Sequence, residues 1–514
     1  MKYWILAIDA QDGIMADTLA NKETTISYKC VDQVGQGDLL LGYIAPPISK
    51  VRMIMRATQN STADALFLEK QLDVTPGCSI SEEIYQKMLS AIATEKKCLE
   101  IAEEEYTALA KELIDSVAAQ RKTLLTKKDI VSCDEASGKE VIEQIKSYIA
   151  AKGFSYEEGL IENFYLSLKA KPFVILAGTS GTGKTRLVKL FAEAVGANLE
   201  NKRYMMVPVR PDWSDSSDLF GHVDLNAKFS PGTIIDFIKQ AEEDRTYPYF
   251  LCLDEMNLAR VEYYLSDILS VIETRDFADG KVVSDILVPK AYFGGDDEAF
   301  MRYGKLRLPE NLYIIGTVNM DETTFPFSRK VLDRANTIEL SYVDMVAKVP
   351  LSDEEPQLDL PNSFLKTEYL ILKQCFNEEV VKNCCEELQE INQILKKATA
   401  HVGYRVRDEI AFYLLNNKKY ELLSPEVAMD NELMQKILPR IHGSGEAVKT
   451  MLCELFRHCA GDYDGYLMQS DNASDKMKKA LNDIDRKIKY RRSAEKIELM
   501  TRRFEEDGFT SYWL

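Results

Sequence analysis

The sequence predicts an α/β core, a parallel sheet with flanking helices, between a small β-rich unit and a helical C-terminal region. Strand-like and helix-like segments alternate from about residue 172 to 340, which is typical of parallel strands joined by helical crossovers. Two short apolar runs separated by prolines near the N-terminus indicate paired strands. After residue 340 helical periodicity dominates. These three observations define the predicted fold class.

The length of 514 residues suggests roughly three domains of about 150 residues each, joined by shorter segments. Apolar residues at helical spacing from Ile84 to Val117 predict a helical connector. We expect that stripe to pack against other parts of the same chain. The alternative is that it forms a partner-binding face. The predicted division is 1–80, the β-rich unit; 81–150, the connector; 151–340, the α/β core; and 341–514, a helical lid with C-terminal helices.

Composition narrows the class of protein only partly. The chain is 46% hydrophobic and 28% charged, as soluble globular proteins are. No apolar run is long enough to span a membrane and no signal peptide is recognisable, so we expect a cytoplasmic protein without membrane association. The net charge of −18 argues against a nucleic-acid coat protein but allows a local basic groove. The ten cysteines form no regular framework and favour buried thiols over a metal site.

A phosphate-binding loop is the most specific signal in the chain. A strand-like apolar run leads into the pattern G-x-x-x-x-G-K-T, and an amphipathic helix follows it. Backbone N–H groups of such a loop, together with the helix N-terminus, favour phosphate. Lys184 is expected to reach the β- and γ-phosphates and the Thr185 hydroxyl to hold Mg²⁺. The predicted nucleotide-binding residues are Gly178, Thr179, Ser180, Gly181, Thr182, Gly183, Lys184 and Thr185.

An acidic pair follows a second strand-like run, Tyr249-Phe-Leu-Cys-Leu, about 70 residues after the loop. Asp254 is suited to the Mg²⁺ shell and Glu255 to polarising the attacking water. The alternative is that the pair only caps a helix. Two adjacent carboxylates favour an ATPase-like motor over a small switch GTPase.

A third strand-like run ends at Asn319, whose amide is suited to orienting the attacking water beside the γ-phosphate. A basic helix end follows, and its spacing suits an arginine that enters the site of a neighbouring subunit. Such an arginine is worth about 10³ to 10⁵ in rate. Arg334 is the first candidate and Arg329 the second, with a solvated surface arginine as the alternative.

Together these motifs resemble the McrB branch of the AAA+ proteins over residues 150–450. The resemblance rests on Tyr165-Leu-Ser-Leu-Lys-Ala-Lys-Pro-Phe-Val-Ile-Leu-Ala-Gly, Asp254-Glu-Met-Asn-Leu-Ala-Arg-Val-Glu-Tyr-Tyr and Pro309-Glu-Asn-Leu-Tyr-Ile-Ile-Gly-Thr-Val-Asn. Val402-Gly-Tyr-Arg405 resembles the lid helix that carries a second sensor arginine, and Lys436-Ile-Leu-Pro-Arg-Ile-His-Gly resembles a later lid segment.

The resemblance implies a ring, usually a hexamer, that prefers GTP and activates a separate McrC-like nuclease subunit. It assigns hydrolysis to Asp254, Glu255 and Asn319, a role in the neighbouring subunit to Arg334, and nucleotide sensing from the lid to Arg405. The chain departs from the family pattern after Asn319, where Asp321 or Glu322 would supply the acidic group. Because no guanine-reading N-K-x-D motif is recognisable, the choice between GTP and ATP stays open. No nuclease motif is recognisable either.

The N-terminal unit begins with Tyr3-Trp4-Ile-Leu and later contains Gly37-Asp38-Leu-Leu-Leu-Gly-Tyr-Ile. In these segments it is similar to EVE and PUA-like domains, which bind flipped modified bases. A flipped base needs aromatic or apolar side chains to stack against. Trp4, Tyr28 and Tyr43, with Phe67, are the candidate pocket residues, and the alternative is that they are core residues of a small β-barrel. The resemblance therefore predicts DNA carrying a modified base as a partner.

Two other functions fit the same core motifs. A MoxR-like, ATP-driven protein remodeller would share them without DNA affinity, and a nucleotide-gated scaffold would bind nucleotide without productive turnover. The basic run from Lys476 to Arg492 is either part of a DNA path or a solvated helix face.

Overall fold

The structure is a computed structural model that divides into two units, Met1–Ile130 and Val131–Leu514. It describes residues 138–278, 280–320, 324–340, 358–461 and 472–513, and in the first unit residues 2–8, 23–26, 34, 38–44, 50–57, 66–78, 98–102, 105–107 and 109. None of the helices in these parts has the length and apolarity needed to cross a bilayer. The finer division at residues 80, 150 and 340 stays a prediction.

The first unit contains a six-stranded sheet. Its strands are β1 (Tyr3–Ile8), β2 (Glu23–Ile26), β3 (Leu39–Ile44), β4 (Lys50–Ala57), β5 (Leu66–Cys78) and β6 (Cys98–Ile101). Their spatial order is β2-β5-β4-β3-β1-β6. β1 and β3 run parallel, and the other neighbours are antiparallel.

The predicted connector helix is wrong at Cys98–Ile101, which form β6. This strand pairs with β1, Leu99 opposite Ile5 and Ile101 opposite Tyr3. Without β6, the outer edge of β1 would expose unpaired N–H and C=O groups. Ile101 and Ile5 are both buried, so pairing and burial outweigh the helical periodicity at this point. Ile84 and Val117, the ends of that periodic stripe, lie outside the described residues.

The core of the second unit is a five-stranded sheet in which every neighbouring pair is parallel. Its order is β15-β7-β14-β11-β8. All six residues of β7 and the first five of β11 are buried, as expected for strands covered on both faces. The predicted fold class is confirmed. The strands are β7 (Phe173–Gly178), β8 (Tyr204–Pro208), β11 (Tyr249–Asp254), β14 (Leu312–Asn319) and β15 (Asn336–Glu339).

Helices cover both faces of this sheet. Leu251 and Ile314 face one apolar cluster, whereas Val174 and Phe250 face the other. The helices are α1 (Gly138–Ala151), α2 (Leu160–Ala170), α3 (Lys184–Ala194), α4 (Ser217–Phe220), α5 (Ile235–Glu243), α6 (Val261–Tyr264), α7 (Ser266–Val271), α8 (Asp297–Tyr303) and α9 (Arg329–Leu332). Two hairpins accompany them: β9 (Gly221–Val223) with β10 (Phe229–Pro231), and β12 (Asp276–Ala278) with β13 (Lys281–Val283).

The C-terminal region is helical, as predicted, and has an apolar core of its own that includes Ile410, Leu452, Phe456 and Ile497. Its helices are α10 (Glu379–Lys396), α11 (Tyr404–Tyr420), α12 (Pro425–Glu432), α13 (Glu446–Ala460), α14 (Ala473–Leu481) and α15 (Arg491–Asp507). The short strands β16 (His442–Gly443) and β17 (Thr510–Ser511) pair near the end.

Buried ion pairs join the helical region to the amino edge of the core sheet. Glu409 on α11 pairs with Lys171, just before β7, and with Lys436. Lys436 also donates a 2.8 Å hydrogen bond to the carbonyl oxygen of Ala335, just before β15. Removing one member of such a group leaves an unpaired buried charge, a loss of about 3 to 5 kcal/mol. These contacts fix α11 against the start of two neighbouring strands.

Replacing the buried Glu432 by glutamine should stabilise the fold at alkaline pH. Burial raises the pKa of Glu432 from 4.5 to about 8, although Lys436 and a hydrogen bond from Gln435 oppose the rise. Because the folded state holds this proton more tightly than the unfolded state, stability contributed by Glu432 declines as pH rises from 4.5 to about 8. Urea unfolding near pH 6 and pH 8.5 measures the slope. Between these two pH values the free energy of unfolding should fall more for wild type than for Glu432→Gln. Equal falls would contradict the prediction.

Candidate nucleotide-hydrolysis site

The phosphate-binding loop connects the carboxyl end of β7 to the start of α3. Gly178, where β7 ends, has φ 152°, and a Cβ there would overlap the carbonyl oxygen of Leu340. The loop residues Thr179, Ser180 and Gly181 are exposed. A glycine at position 178 therefore lets the chain turn tightly out of a buried strand, and the loop that follows is open to a ligand.

Lys184 lies buried beneath the loop at the first turn of α3. Its Nζ donates hydrogen bonds to the carbonyl oxygens of Gly178 at 3.1 Å and Thr179 at 2.6 Å. Burial lowers the pKa of Lys184, and the nearby carboxylates of Asp254 and Glu255 act in the opposite direction. The ammonium group is thus held at the centre of the loop, where it can neutralise phosphate charge.

Asp254, at the carboxyl end of β11, joins two hydroxyl groups. Its Oδ1 accepts hydrogen bonds from Thr185 Oγ1 at 2.6 Å and Thr317 Oγ1 at 2.7 Å. Carboxylate and hydroxyl oxygens are hard donors of the kind Mg²⁺ binds, so Thr185 and Asp254 fit the metal role that the sequence assigns. Thr317 was missed by sequence reasoning. It lies two residues before Asn319 on β14, so a period of two could have found it.

Glu255 adopts a left-handed backbone conformation with φ 52°, which costs a non-glycine residue roughly 1–3 kcal/mol. Its backbone N–H donates to Thr317 Oγ1 at 3.2 Å. Its Oε1 accepts from Asn319 Nδ2 at 2.9 Å. The structure therefore brings the acidic pair and the amide together beside the loop, because β11 and β14 are neighbouring strands that end there.

A second layer of contacts supports this arrangement. Asn257 Nδ2 donates to the carbonyl oxygen of Asn319 at 3.2 Å, and the backbone N–H of Phe325 donates to the carbonyl oxygen of Asn257 at 3.0 Å. A Cβ on Gly316 would overlap the sulfur of Met256, so a larger residue there would displace the buried Met256 side chain in the turn after β11. Sequence reasoning did not single out Asn257 or Gly316.

The two candidate arginines of the site lie at the opposite edge of the sheet. Arg334 lies two residues before the start of β15, and its Nε is 3.4 Å from Glu273 Oε1. Arg405 Nε pairs with Oε2 of the same carboxylate. Parallel strands place their carboxyl ends, and with them the phosphate loop, at the other edge. The structure therefore brings Arg405 to Arg334 and not to the loop of its own chain, and Arg329 contacts the carbonyl oxygen of Thr399 at 3.5 Å.

The candidate base-pocket residues are only partly described. Trp4 lies on β1 opposite Leu40, and Tyr43 lies on the neighbouring strand β3 opposite Ala7. Phe67 lies on β5 opposite Thr25. Tyr28 is outside the described residues, as are Asp321 and Glu322. The base pocket stays a prediction.

Comparison with known families identifies the core. Residues 173–335 match the AAA domain family, dynein-related subfamily. The core is an AAA domain. Residues 353–509 match a domain of unknown function, DUF8727. The AAA domain covers the strands that carry the phosphate loop, the acidic pair and Asn319, and the second family covers most of the helical region.

Two curated proteins are similar to the chain over about half its length. It is 26% identical over 275 residues to the Type IV methyl-directed restriction enzyme EcoKMcrB subunit of Escherichia coli (strain K12), covering 52% of this chain and 54% of that subunit. It is 27% identical over 265 residues to the Lon protease of Clostridioides difficile (strain 630), covering 51% of this chain and 27% of that protease. The chain is thus similar to an McrB subunit over about half its length, and it spans about half the length of that curated relative.

A solved structure also matches the chain. It is the crystal structure of a protein described as an ATPase candidate from Cytophaga hutchinsonii ATCC 33406, with 14% sequence identity and a TM-score of 0.38. The match covers 59% of this chain and 88% of that one.

Proposed function

We propose that the chain hydrolyses a nucleoside triphosphate as the motor subunit of a ring that serves a modification-dependent DNA restriction complex. The observation that carries the hydrolytic part is the contact of Glu255 with Asn319 beside the phosphate loop, at 2.9 Å. Asp254 and Thr185 meet next to it at 2.6 Å. Phosphoryl transfer to water needs side chains that bind Mg²⁺, a base and an amide that orients the reacting groups. These three parts lie together here.

In this mechanism each residue has one task. Loop N–H groups and Lys184 bind the phosphates, and Thr185 with Asp254 would hold Mg²⁺, which supplies Lewis-acid stabilisation of phosphate charge. Glu255 accepts a proton from the attacking water, and Asn319 fixes the direction of the Glu255 carboxylate by its hydrogen bond. The Thr317 hydroxyl donates to Asp254 and accepts from the Glu255 backbone N–H, so it fixes the position of one relative to the other.

The position of Arg334 supports the proposed assembly of several copies of the chain. β7 has six residues, and a strand rises about 3.3 Å per residue, so its two edges are roughly 16–20 Å apart. Arg334 at the amino edge therefore serves a phosphate loop other than its own. A second copy of the chain is the partner that presents such a loop, and the proposed assembly is a hexameric ring.

The restriction role rests on the similarity to the methyl-directed restriction subunit. By this proposal, the N-terminal unit reads a modified base through Trp4, Tyr28 and Tyr43, and a separate McrC-like subunit cuts the DNA. The nucleotide is GTP or ATP. Hydrolysis of each by the purified full-length chain with Mg²⁺ tests the proposal, and turnover of neither, with intact nucleotide binding, would favour a nucleotide-gated scaffold.

The full-length chain should bind DNA carrying a modified cytosine more tightly than the same DNA without it. The expectation follows from the proposed base pocket, because an extruded base is read by stacking and by its edge. Titration of matched labelled duplexes at two salt concentrations measures the difference. Equal binding to both duplexes that weakens steeply with salt would indicate phosphate attraction alone.

The second candidate function is MoxR-like, ATP-driven remodelling of proteins. The observation that favours it is the similarity to Lon protease, 27% over 265 residues. The same DNA titration separates the two functions, because a remodeller has no need of DNA affinity. Stimulation of ATP turnover by an unfolded polypeptide, together with no DNA binding, would support this second candidate.

A further inference from the structure

Glu273 lies where three cations meet at the amino edge of the core sheet. It belongs to the helical turn Ile272–Thr274 after α7. Its Oε1 is 3.2 Å from Lys171 Nζ and 3.4 Å from Arg334 Nε, and its Oε2 pairs with Arg405 Nε. One carboxylate thus contacts two residues from distant parts of the chain that the sequence links to nucleotide hydrolysis.

The surrounding charges make Glu273 the principal counter-charge of the two arginines. We define the edge cluster as Lys171, Glu273, Arg334, Glu409 and Lys436, with Arg405. Glu409 is buried and is shared by Lys171 and Lys436. Within the edge cluster four cations share two carboxylates. Arg275 and Glu432 also interact with its members, and Glu310 interacts with Arg275. Cations still outnumber carboxylates, and an anion can match that excess.

The orientation of the two guanidinium groups leaves their outer ends available. Both meet Glu273 most closely through Nε, and Arg334 Nη1 also donates to the carbonyl oxygen of Lys330 at 3.2 Å. Within the described part of the chain, Arg334 Nη2 and both Nη atoms of Arg405 donate no hydrogen bond. The side chains are 21% and 43% exposed. Terminal Nη groups are the ones that bind phosphate oxygens in a fork.

We propose that Glu273 is a positioning residue that holds Arg334 and Arg405 side by side, so that both meet the triphosphate bound by a neighbouring copy of the chain. The proposal rests on the ring and the role of Arg334 proposed above. It assigns Arg405 to the neighbour's site, which specifies where the nucleotide sensing that the resemblance implies takes place. Glu273 itself touches no nucleotide and acts through the two arginines.

The first test is steady-state hydrolysis by the full-length Glu273→Gln variant. A misplacement of about 1 Å costs up to roughly 10²-fold in rate, so kcat should fall about 10- to 100-fold while KM stays within about threefold. Glu273→Asp, which keeps the charge on a shorter side chain, should retain more activity than Glu273→Gln. The matched control is Glu298→Gln, an exposed glutamate on α8, which should behave as wild type.

The second test asks whether Glu273 acts through the arginines. In the Arg334→Ala, Arg405→Ala background, adding Glu273→Gln should reduce kcat no further. Mixing Glu273→Gln with Glu255→Gln subunits should recover activity, because some interfaces then join an intact Glu255 to an intact edge cluster. A kcat of Glu273→Gln within twofold of wild type, or losses that add in the triple variant, would overturn the inference.

These results separate the inference from the proposal beneath it. If Arg334→Ala loses turnover and Glu273→Gln does not, only the positioning role of Glu273 fails. If Arg334→Ala itself retains turnover, the proposed ring mechanism fails first. Thermal unfolding of each variant checks for loss of fold, and Glu273→Asp supplies the measurement if Glu273→Gln is unstable.

Discussion

Glu255→Gln is expected to bind nucleotide about as well as wild type while its turnover falls by about 10² to 10⁴, the usual contribution of a general base. The Glu255 carboxylate accepts a hydrogen bond from Asn319 and lies beside the loop, not within it. Glutamine keeps the size of the side chain but cannot take the proton of the attacking water. Nucleotide binding and phosphate release, measured on the same preparation, separate the two effects.

Lys184→Ala provides the contrast, since it should lose nucleotide binding itself. The Lys184 ammonium is buried at the centre of the loop, where it would contact phosphates already in the bound state. Glu298→Gln, on the exposed surface, is the matched control for the loss of a carboxylate. Turnover by Glu255→Gln above about a tenth of the wild-type rate would exclude Glu255 as the general base, given typical contributions of 10² to 10⁴.

The parts of the site that sequence reasoning found are those encoded in consecutive residues. The loop from Gly178 to Thr185, the Asp254–Glu255 pair and Asn319 each follow an apolar strand-like run. Because parallel strands end at one edge of a sheet, local pattern and chain order were enough to predict that these side chains converge. The contacts at 2.6 Å and 2.9 Å bring these side chains together, and their roles in hydrolysis stay predictions.

The parts that it missed depend on contacts between distant segments. Glu273 has no motif around it, and its meeting with Arg334 and Arg405 depends on how α11 packs against the start of β7. The resemblance implied that Arg405 senses nucleotide from the lid, but resemblance does not reveal which edge of the sheet the lid helix covers. Similarly, the periodicity around Cys98–Ile101 could not show that the edge of β1 needs a partner strand.

Arg334→Ala should leave nucleotide affinity nearly unchanged. Its rate of hydrolysis should fall by about 10³ to 10⁵, the usual effect of removing such an arginine. An arginine of this kind stabilises charge that develops in the transition state, so its loss affects turnover more than binding. The position of Arg334 at the amino edge, beside Glu273, is the structural reason to expect this effect in the neighbouring subunit. Binding and turnover assays on the full-length variant measure both quantities.

The same variant also tests whether the arginine acts between subunits. Mixing Arg334→Ala with Glu255→Gln subunits should restore some activity, because interfaces then form in which an intact Glu255 meets an intact Arg334. Neither variant alone contains such an interface. Arg329→Ala, whose side chain contacts Thr399 in the same chain, is the matched control and should keep most turnover. If mixed rings demonstrably form and remain as inactive as their components, Arg334 acts within its own subunit and the proposed ring mechanism is wrong.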